Sequence, residues 1–373
     1  MRPILPILAA LAFAAPAVAK PALTPAAALK AIAHCAPGAP CAAHLPVKVV
    51  VVTLFEIGKD EGDAPGEFQL WKSRAKLTAR IPFPQGYHDL YYNPETQVLG
   101  IVTGMGNIKS ATATLALGLD QRLDLSHAYW LVAGIAGIDP AAGTIGSAAW
   151  ARYLVDGDMA HEIDAREIPA GWKYGYFPIH GDTNPAADPL AGKAPTPQNG
   201  EMFALNPALA NWAYGLTKST PLPDNPSIAA ARAPYVGFPA AQQPPKVMMG
   251  DQLAAITFWH GEKLTQWGRD WVKYWTNGQG TFVTSAMEET GTMQSLEYLT
   301  KIHRADRNRV MVLRAGSNFT MPPPGVTPAD NMARENEGYS GMTAALEALY
   351  ATGSKVVTEI TTHWSRYEKT PPQ

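Results

Sequence analysis

The run LVAGIAGIDPAAGTIGSAAWARYLVDGD, Leu131 to Asp158, reads as a buried apolar strand, a glycine-cushioned turn at Gly134-Ile135-Ala136-Gly137, and a second strand ending in acids. Glycine has no Cβ and tolerates positive φ, so a strand that breaks into such a turn lets backbone come close to a ligand. The run therefore predicts a pocket floor at the end of a sheet strand.

Outward from that run, the same pattern repeats. Val47 to Leu54 is a β-branched stretch of the kind buried on both faces of a parallel sheet, and it ends at Phe55-Glu56 in a Gly/Asp-rich loop. Leu99 to Thr103 is a second strand; Gly104-Met105-Gly106 follows it, then an alanine-rich helix from Ser110 to Leu119. Ala128 to Val132, Thr281 to Thr284 and Val310 to Leu313 read as further strands, with helices at Glu288 to Ile302 and Gly341 to Ala351. Strand and helix alternate, so the class is α/β. Between them, Phe177 to Pro245 is dense in Pro, Asn and Gly, with one helix near Asn206 to Leu216, and predicts an insertion over the pocket.

The start of the chain bears on compartment. Arg2, the apolar stretch Ile4 to Val18 and the small residues Ala17-Val18-Ala19 predict a signal peptide over residues 1–19, cleaved near Ala19, and a periplasmic or secreted mature protein. Residues 20–45 read as an extension with a short helix at Pro25 to Ala33, residues 46–366 as the domain (insertion about 177–250), and residues 367–373 as a tail. Cys35 and Cys41 are the only cysteines and bracket a Pro/Gly-rich pentapeptide that a disulfide would close in an oxidising compartment. A formal charge of −2, from 30 basic and 32 acidic residues, argues against a nucleic-acid partner and for a small molecule.

Familiar motifs fail one by one. Gly104-Met105-Gly106 lacks the third glycine of a dinucleotide fingerprint, where Lys109 stands. Ser340 in Gly338-Tyr339-Ser340-Gly341-Met342 lacks the final glycine of a nucleophile elbow. No HExxH or His-x-His pair is present, so neither a metal nor another cofactor is expected. Trp267, Trp271 and Trp275, four apart, read as the core-facing stripe of a helix, with Phe258 and His260 just ahead of it as pocket candidates.

Four segments remain, each after a predicted strand: Gly104-Met105-Gly106, Gly134 to Gly137, Ser285-Ala286-Met287-Glu288, and Arg314-Ala315-Gly316-Ser317-Asn318. Ligands of open α/β sheets sit beyond the carboxyl ends of strands, so these could line one crevice. Their order, with GIAGIDP, WARYLVDGDMAHEIDAREIP, NWAYGLTKST and SAMEETGT, resembles the purine nucleoside permeases within the nucleoside phosphorylase and nucleosidase superfamily, over roughly Pro46 to Trp364. The resemblance implies a mixed central sheet flanked by helices with an inserted loop-rich subdomain.

It also implies roles. Met287 and Glu288 would bind the ribose hydroxyls, although Ser285-x-x-Glu288 alone equally fits a helix capping box. Gly104, Met105, Gly106, Gly134, Ala136, Gly137 and Ser317 would line the substrate. Asn318 takes the place of the aspartate that protonates the purine in nucleosidases; an amide can only donate a hydrogen bond there, which favours 6-oxopurines. Arg314 would orient the base-binding group or pair with Glu288 or Glu289. Val132 and Ile135 occupy the places of phosphate ligands, so hydrolysis is favoured over phosphorolysis. Glu56, at the strand end, is the preferred water-activating carboxylate, with Glu67 the second candidate. The expected partner is a purine nucleoside, which the chain binds for uptake and cleaves at its N-glycosidic bond; a membrane transporter and a second copy of the chain are candidate partners. A non-catalytic nucleoside-binding component of transport, or a phosphorylase, is the alternative.

Overall fold

The computed structural model describes residues 23–181, 184, 186–335 and 338–373. The expected signal peptide lies outside the described residues. Strands Val49–Thr53, Val98–Val102 and Tyr129–Ile138 pair in parallel at the centre of a large mixed sheet. Their alternation explains why every residue but Thr53 is apolar, and the Thr53 hydroxyl donates to Ile101 O. Val50, Val52, Leu99, Ile101, Trp130 and Val132 face one core, with Leu117, Met293, Leu296 and Leu299 from helices Asn107–Leu119 and Glu289–Lys301. Val49, Val51, Val98, Val102, Tyr129 and Leu131 face the other, with Ala345, Leu349 and Val356 from helix Met342–Thr362. A strand buried on both faces has no polar side to show.

The Tyr129–Ile138 strand is the hub. Its first half pairs with Val49–Thr53, its whole length runs parallel to Val310–Phe319, and its end meets Phe282–Ala286 antiparallel. The expected turn at Gly134 to Gly137 is thus not a turn: the strand continues through it, and the chain reverses at Asp139 to Gly146. Likewise Arg314 to Asn318 lie within their strand, which extends to Phe319 where the apolar run suggested Leu313.

Two peripheral expectations change. Ala28 and Ile32 of helix Pro25–Ile32 are buried, Leu45–Pro46 pairs with Leu123–Asp124, and Cys35 and Cys41 form the expected disulfide, so the extension over residues 23–45 packs against the domain instead of standing apart from it. The tail begins with buried Tyr367, whose carbonyl accepts from Tyr129 Oη at 2.8 Å and Arg309 Nη1 at 2.9 Å. Trp267, Trp271 and Trp275 are buried along helix Glu262–Trp275 as the four-residue spacing predicts.

Candidate active site

One cavity of about 250 Å³ gathers the strand ends; Met105, Ile135, Ala136, Gly137, Ser285, Met287, Glu288, Arg314, Ser317 and Asn318 line it, together with Phe55, Glu67, Ala286, Phe258 and Tyr339. A bulge builds part of it. Between Val310–Phe319 and Tyr129–Ile138 the register slips at Gly316/Asn318, leaving Ser317 as the extra residue. Bulges re-aim side chains beside active sites. Here Ser317 and Asn318 both face the cavity, where strict alternation would send one of them to the other face.

At the floor, buried Arg314 is surrounded by three carboxylates. Its guanidinium donates to Glu289, to Glu288 Oε2 at 2.7 Å and to Ile135 O at 2.7 Å, with Glu67 Oε1 3.7 Å away. Burial works against the Arg314 charge, but the carboxylates outweigh it and its pKa is raised. One cation cannot neutralise three anions in a dry site. Burial accordingly pushes the Glu67 carboxyl up to about 8 against the pull of Arg314, with Glu288 adding to the rise. Glu289 is raised as well, first by burial and also by the charge of Glu288.

Glu288 sits where helix Glu289–Lys301 begins, yet its side chain caps nothing there, and Ser285 belongs to the preceding strand, so the capping-box reading fails. Instead Oε1 accepts from Gly106 N at 3.0 Å, and Oε2 accepts from Arg314 and from Met287 N at 3.2 Å. Two donors fill Oε2 and one occupies Oε1, which leaves room for a further donor from the cavity. Gly106 reaches this position at φ +89°, a conformation that favours glycine.

Glu67 follows the first central strand through a loop. Its Oε2 accepts from Leu54 N at 2.7 Å and Phe55 N at 3.3 Å, and its Oε1 from Ile135 N at 2.7 Å, so the carboxyl is fixed at the cavity wall. Glu56 is placed otherwise. Its oxygens accept from the backbone N–H groups of Ile57, Gly66, Phe68 and Gln69, and it does not line the cavity. A carboxylate consumed by four backbone donors is a loop brace, and of the two expected carboxylates it is Glu67 that lines the cavity.

The rings of Phe258 and Tyr339 lie within 7° of parallel with centroids 6.3 Å apart, and both face the cavity. Flat apolar faces of this kind suit a planar aromatic ligand. Among the described residues, Arg314 is the single cation in the lining, and it is already engaged. No group of three or more His, Cys, Asp or Glu side chains is arranged to hold a metal ion among the described residues.

Residues 46–372 match the family described as purine nucleoside permease. The chain belongs to that family. Relatives include a probable purine nucleoside permease of Schizosaccharomyces pombe, 27% identical with 85% of this chain and 90% of the relative covered, and a purine nucleoside permease of Candida albicans, 27% identical over 89% and 79%. Among solved structures, a 5′-methylthioadenosine/S-adenosylhomocysteine nucleosidase from Neisseria meningitidis is similar at 14% identity and TM-score 0.46, covering 83% of this chain and 99% of that one. Futalosine hydrolase of Helicobacter pylori is similar at 12% identity and TM-score 0.46, over 83% and 98%.

In this member of the purine nucleoside permease family, the four sequence segments do converge, but of their glycines only Gly137 lines the cavity. Gly104, Gly106 and Gly134 are absent from the lining, whereas Met105, Ala136, Gly137, Met287, Glu288, Ser317, Asn318 and Arg314 face it. Gly134 makes space: a Cβ there would overlap Arg314 Nη1 and stand 2.7 Å from Glu67 Oε1. Gly134→Ala is therefore expected to lower stability by about 1–3 kcal/mol, the range for overpacking a filled site. Thermal denaturation checks this, and a wild-type Tm would show that Arg314 and Glu67 can move aside freely.

The insertion, expected over the pocket, lies elsewhere in its described residues. No described residue of 177–250 lines the cavity; Met202–Ala204 instead extends the sheet beside Tyr153–Asp156, and helix Pro207–Thr217 packs Leu209 and Ala213 into the core under Met342–Thr362. Tyr339 escaped the sequence reading, whereas Arg314 pairs with both carboxylates that the sequence offered it, Glu288 and Glu289. Tyr339 sits in the Gly-Tyr-Ser-Gly segment tested for a nucleophile, and its ring, not its serine neighbour, is what faces the cavity.

Proposed function

We propose that this chain binds purine nucleosides in the cavity and cleaves their N-glycosidic bond with water. The observation that carries the reading is Glu67: a buried carboxyl of raised pKa, fixed by three backbone donors at the wall of a cavity that also holds Glu288, Arg314 and Asn318. A carboxylate with pKa near the working pH is a competent general base. Glu288 accepts a ribose hydroxyl through its open position, Phe258 and Tyr339 flank the base, and the Asn318 amide contacts its polar edge. Water is favoured over phosphate as nucleophile because Val132 is buried in the sheet core, Ile135 presents an apolar side chain, and the charge of Arg314 is already paired with Glu288 and Glu289.

Family membership and the relatives' names support a nucleoside ligand and a place in nucleoside uptake. No helix of the described residues is long and apolar enough to cross a membrane, so in this reading the uptake step belongs to a separate membrane transporter. The leader-like residues 1–19 and the Cys35–Cys41 disulfide support an exported protein. The second reading, a nucleoside-binding component without turnover, is favoured by one feature: Asn318 offers an amide where cleavage is eased by an acid.

Ribose recognition is tested by calorimetry with inosine and 2′,3′-dideoxyinosine. Loss of hydroxyl donors to a charged acceptor is expected to weaken binding by about 1.5–3 kcal/mol. Equal affinities would remove Glu288 from ligand recognition.

A further inference from the structure

Behind the base end of the cavity, Asn318 meets side chains that have no part in the steps above. Asn318 Nδ2 donates to Phe319 O at 3.3 Å and to Glu335 Oε2 at 3.4 Å, while Ser317 Oγ donates to Asn318 Oδ1 at 2.9 Å. Glu335 closes helix Pro328–Glu335, and its Oε1 accepts from Asn331 Nδ2 at 2.9 Å. Asn331 Nδ2 also lies 3.1 Å from His260 Nε2. Two amides thus direct N–H groups at the two oxygens of one carboxyl. That arrangement suits the ionised form, which only accepts.

The surroundings make Glu335 the titrating member. Burial pushes it up to about 7, opposed only by its bonds to Asn331 and Asn318, with no ion pair to it among the described residues. Burial pushes His260 down to about 4, so its ring is neutral wherever Glu335 changes charge. Tyr235 and Tyr339 also sense the Glu335 charge, and both titrate above the usual tyrosine value, raised first by their own burial.

A proton on Glu335 turns one of its oxygens into a donor facing another donor. Asn331 Nδ2 is held closely, at 2.9 Å from Glu335 Oε1 and 3.1 Å from His260 Nε2, whereas Asn318 Nδ2 lies 3.4 Å from Glu335 Oε2 and has Phe319 O as its other acceptor at 3.3 Å. The longer bond yields first. We propose that Glu335 is the positioning residue of the base end: its carboxylate holds the Asn318 amide in register with the purine, and protonation of Glu335 releases that amide. The inference rests on the purine reading given above.

Hypoxanthine is the suitable probe, since a free base has no glycosidic bond to lose. Its Kd for the full chain is measured by calorimetry at about pH 8 and about pH 6. For the wild type, Kd is expected to rise about tenfold from the higher to the lower pH, the change one titrating group gives per pH unit below its pKa. Glu335→Gln, which cannot accept from both amides, is expected to bind with the weaker affinity at both values and to change less than about twofold between them. Asn318→Ala, made separately, should also lose the dependence, and adding Glu335→Gln to it should change nothing further.

Glu67 titrates in the same range in every variant, so the comparison is between slopes. A structural brace alone would weaken binding equally at both pH values and keep the wild-type slope. Glu335→Gln with the wild-type slope, or Asn318→Ala retaining it, would overturn the inference and leave the purine reading standing. A wild-type chain that binds neither hypoxanthine nor inosine would overturn the purine reading and this inference together.

Discussion

Glu67→Gln is expected to slow phosphate-independent cleavage of inosine by about 10²- to 10⁴-fold, the range for removing a general base, with inosine affinity changed by less than about twofold. The split follows from geometry. Glu67 is bound to backbone at Leu54, Phe55 and Ile135 and lies at the wall, whereas the proposed ligand contacts are those of Glu288, the two rings and Asn318. Only the ionised carboxylate can take a proton from water. Because burial holds Glu67 at about 8, kcat/KM of the wild type should climb as pH rises toward that value and level off above it.

Stability should move the other way. An acid whose folded pKa exceeds its unfolded one binds more protons folded than unfolded, so stability is lost as pH rises from about 4.5 to about 8. Glu67→Gln should flatten that slope while removing the rising limb of kcat/KM. Wild-type turnover in the variant would place the base elsewhere.

Arg314→Met is expected to cost about 3–5 kcal/mol at neutral pH, because it leaves buried carboxylates without their cation. Met replaces the aliphatic stem and removes only the guanidinium, so the loss falls chiefly on the ion pairs. Glu288 and Glu289 both donate no hydrogen when ionised and both accept from Arg314, and Glu67 lies 3.7 Å from it. The cost should shrink as pH falls, since the stranded carboxyls then take up protons in place of the guanidinium. Urea denaturation at about pH 5 and about pH 8 measures this, and the deficit should be larger at the higher value. An equal deficit at both would mean that the carboxyls are neutral in the native protein.

Much of this site is legible along the chain because the strands are. Met105, Ala136, Gly137, Met287, Glu288, Ser317 and Asn318 each follow or end an apolar run, and a sheet brings run ends together whatever their distance in sequence. The errors come from contacts that local pattern does not contain. Gly134 to Gly137 resembles a turn because glycine usually punctuates strands; here Gly134 stays within the strand and gives space to Arg314 and Glu67, which arrive from other segments. Glu56 and Glu67 look alike in sequence. The loop between them turns back, so that Glu56 is used up on its own backbone while Glu67 reaches the wall.

Glu335 lies on a different helix from any strand-end motif, and no spacing relates it to Asn318. The Pro/Gly-rich insertion looked like a lid by composition, yet composition is silent on which surface a loop covers. Its apolar residues Leu209 and Ala213 settle that by burying against the Met342–Thr362 helix.

The most direct test of the central claim is to incubate the purified chain with inosine, with and without phosphate, and to separate the products by chromatography. The account predicts free hypoxanthine and ribose, formed at the same rate in both conditions. Ribose 1-phosphate formed only when phosphate is present, or saturable inosine binding with no free base released, would contradict it.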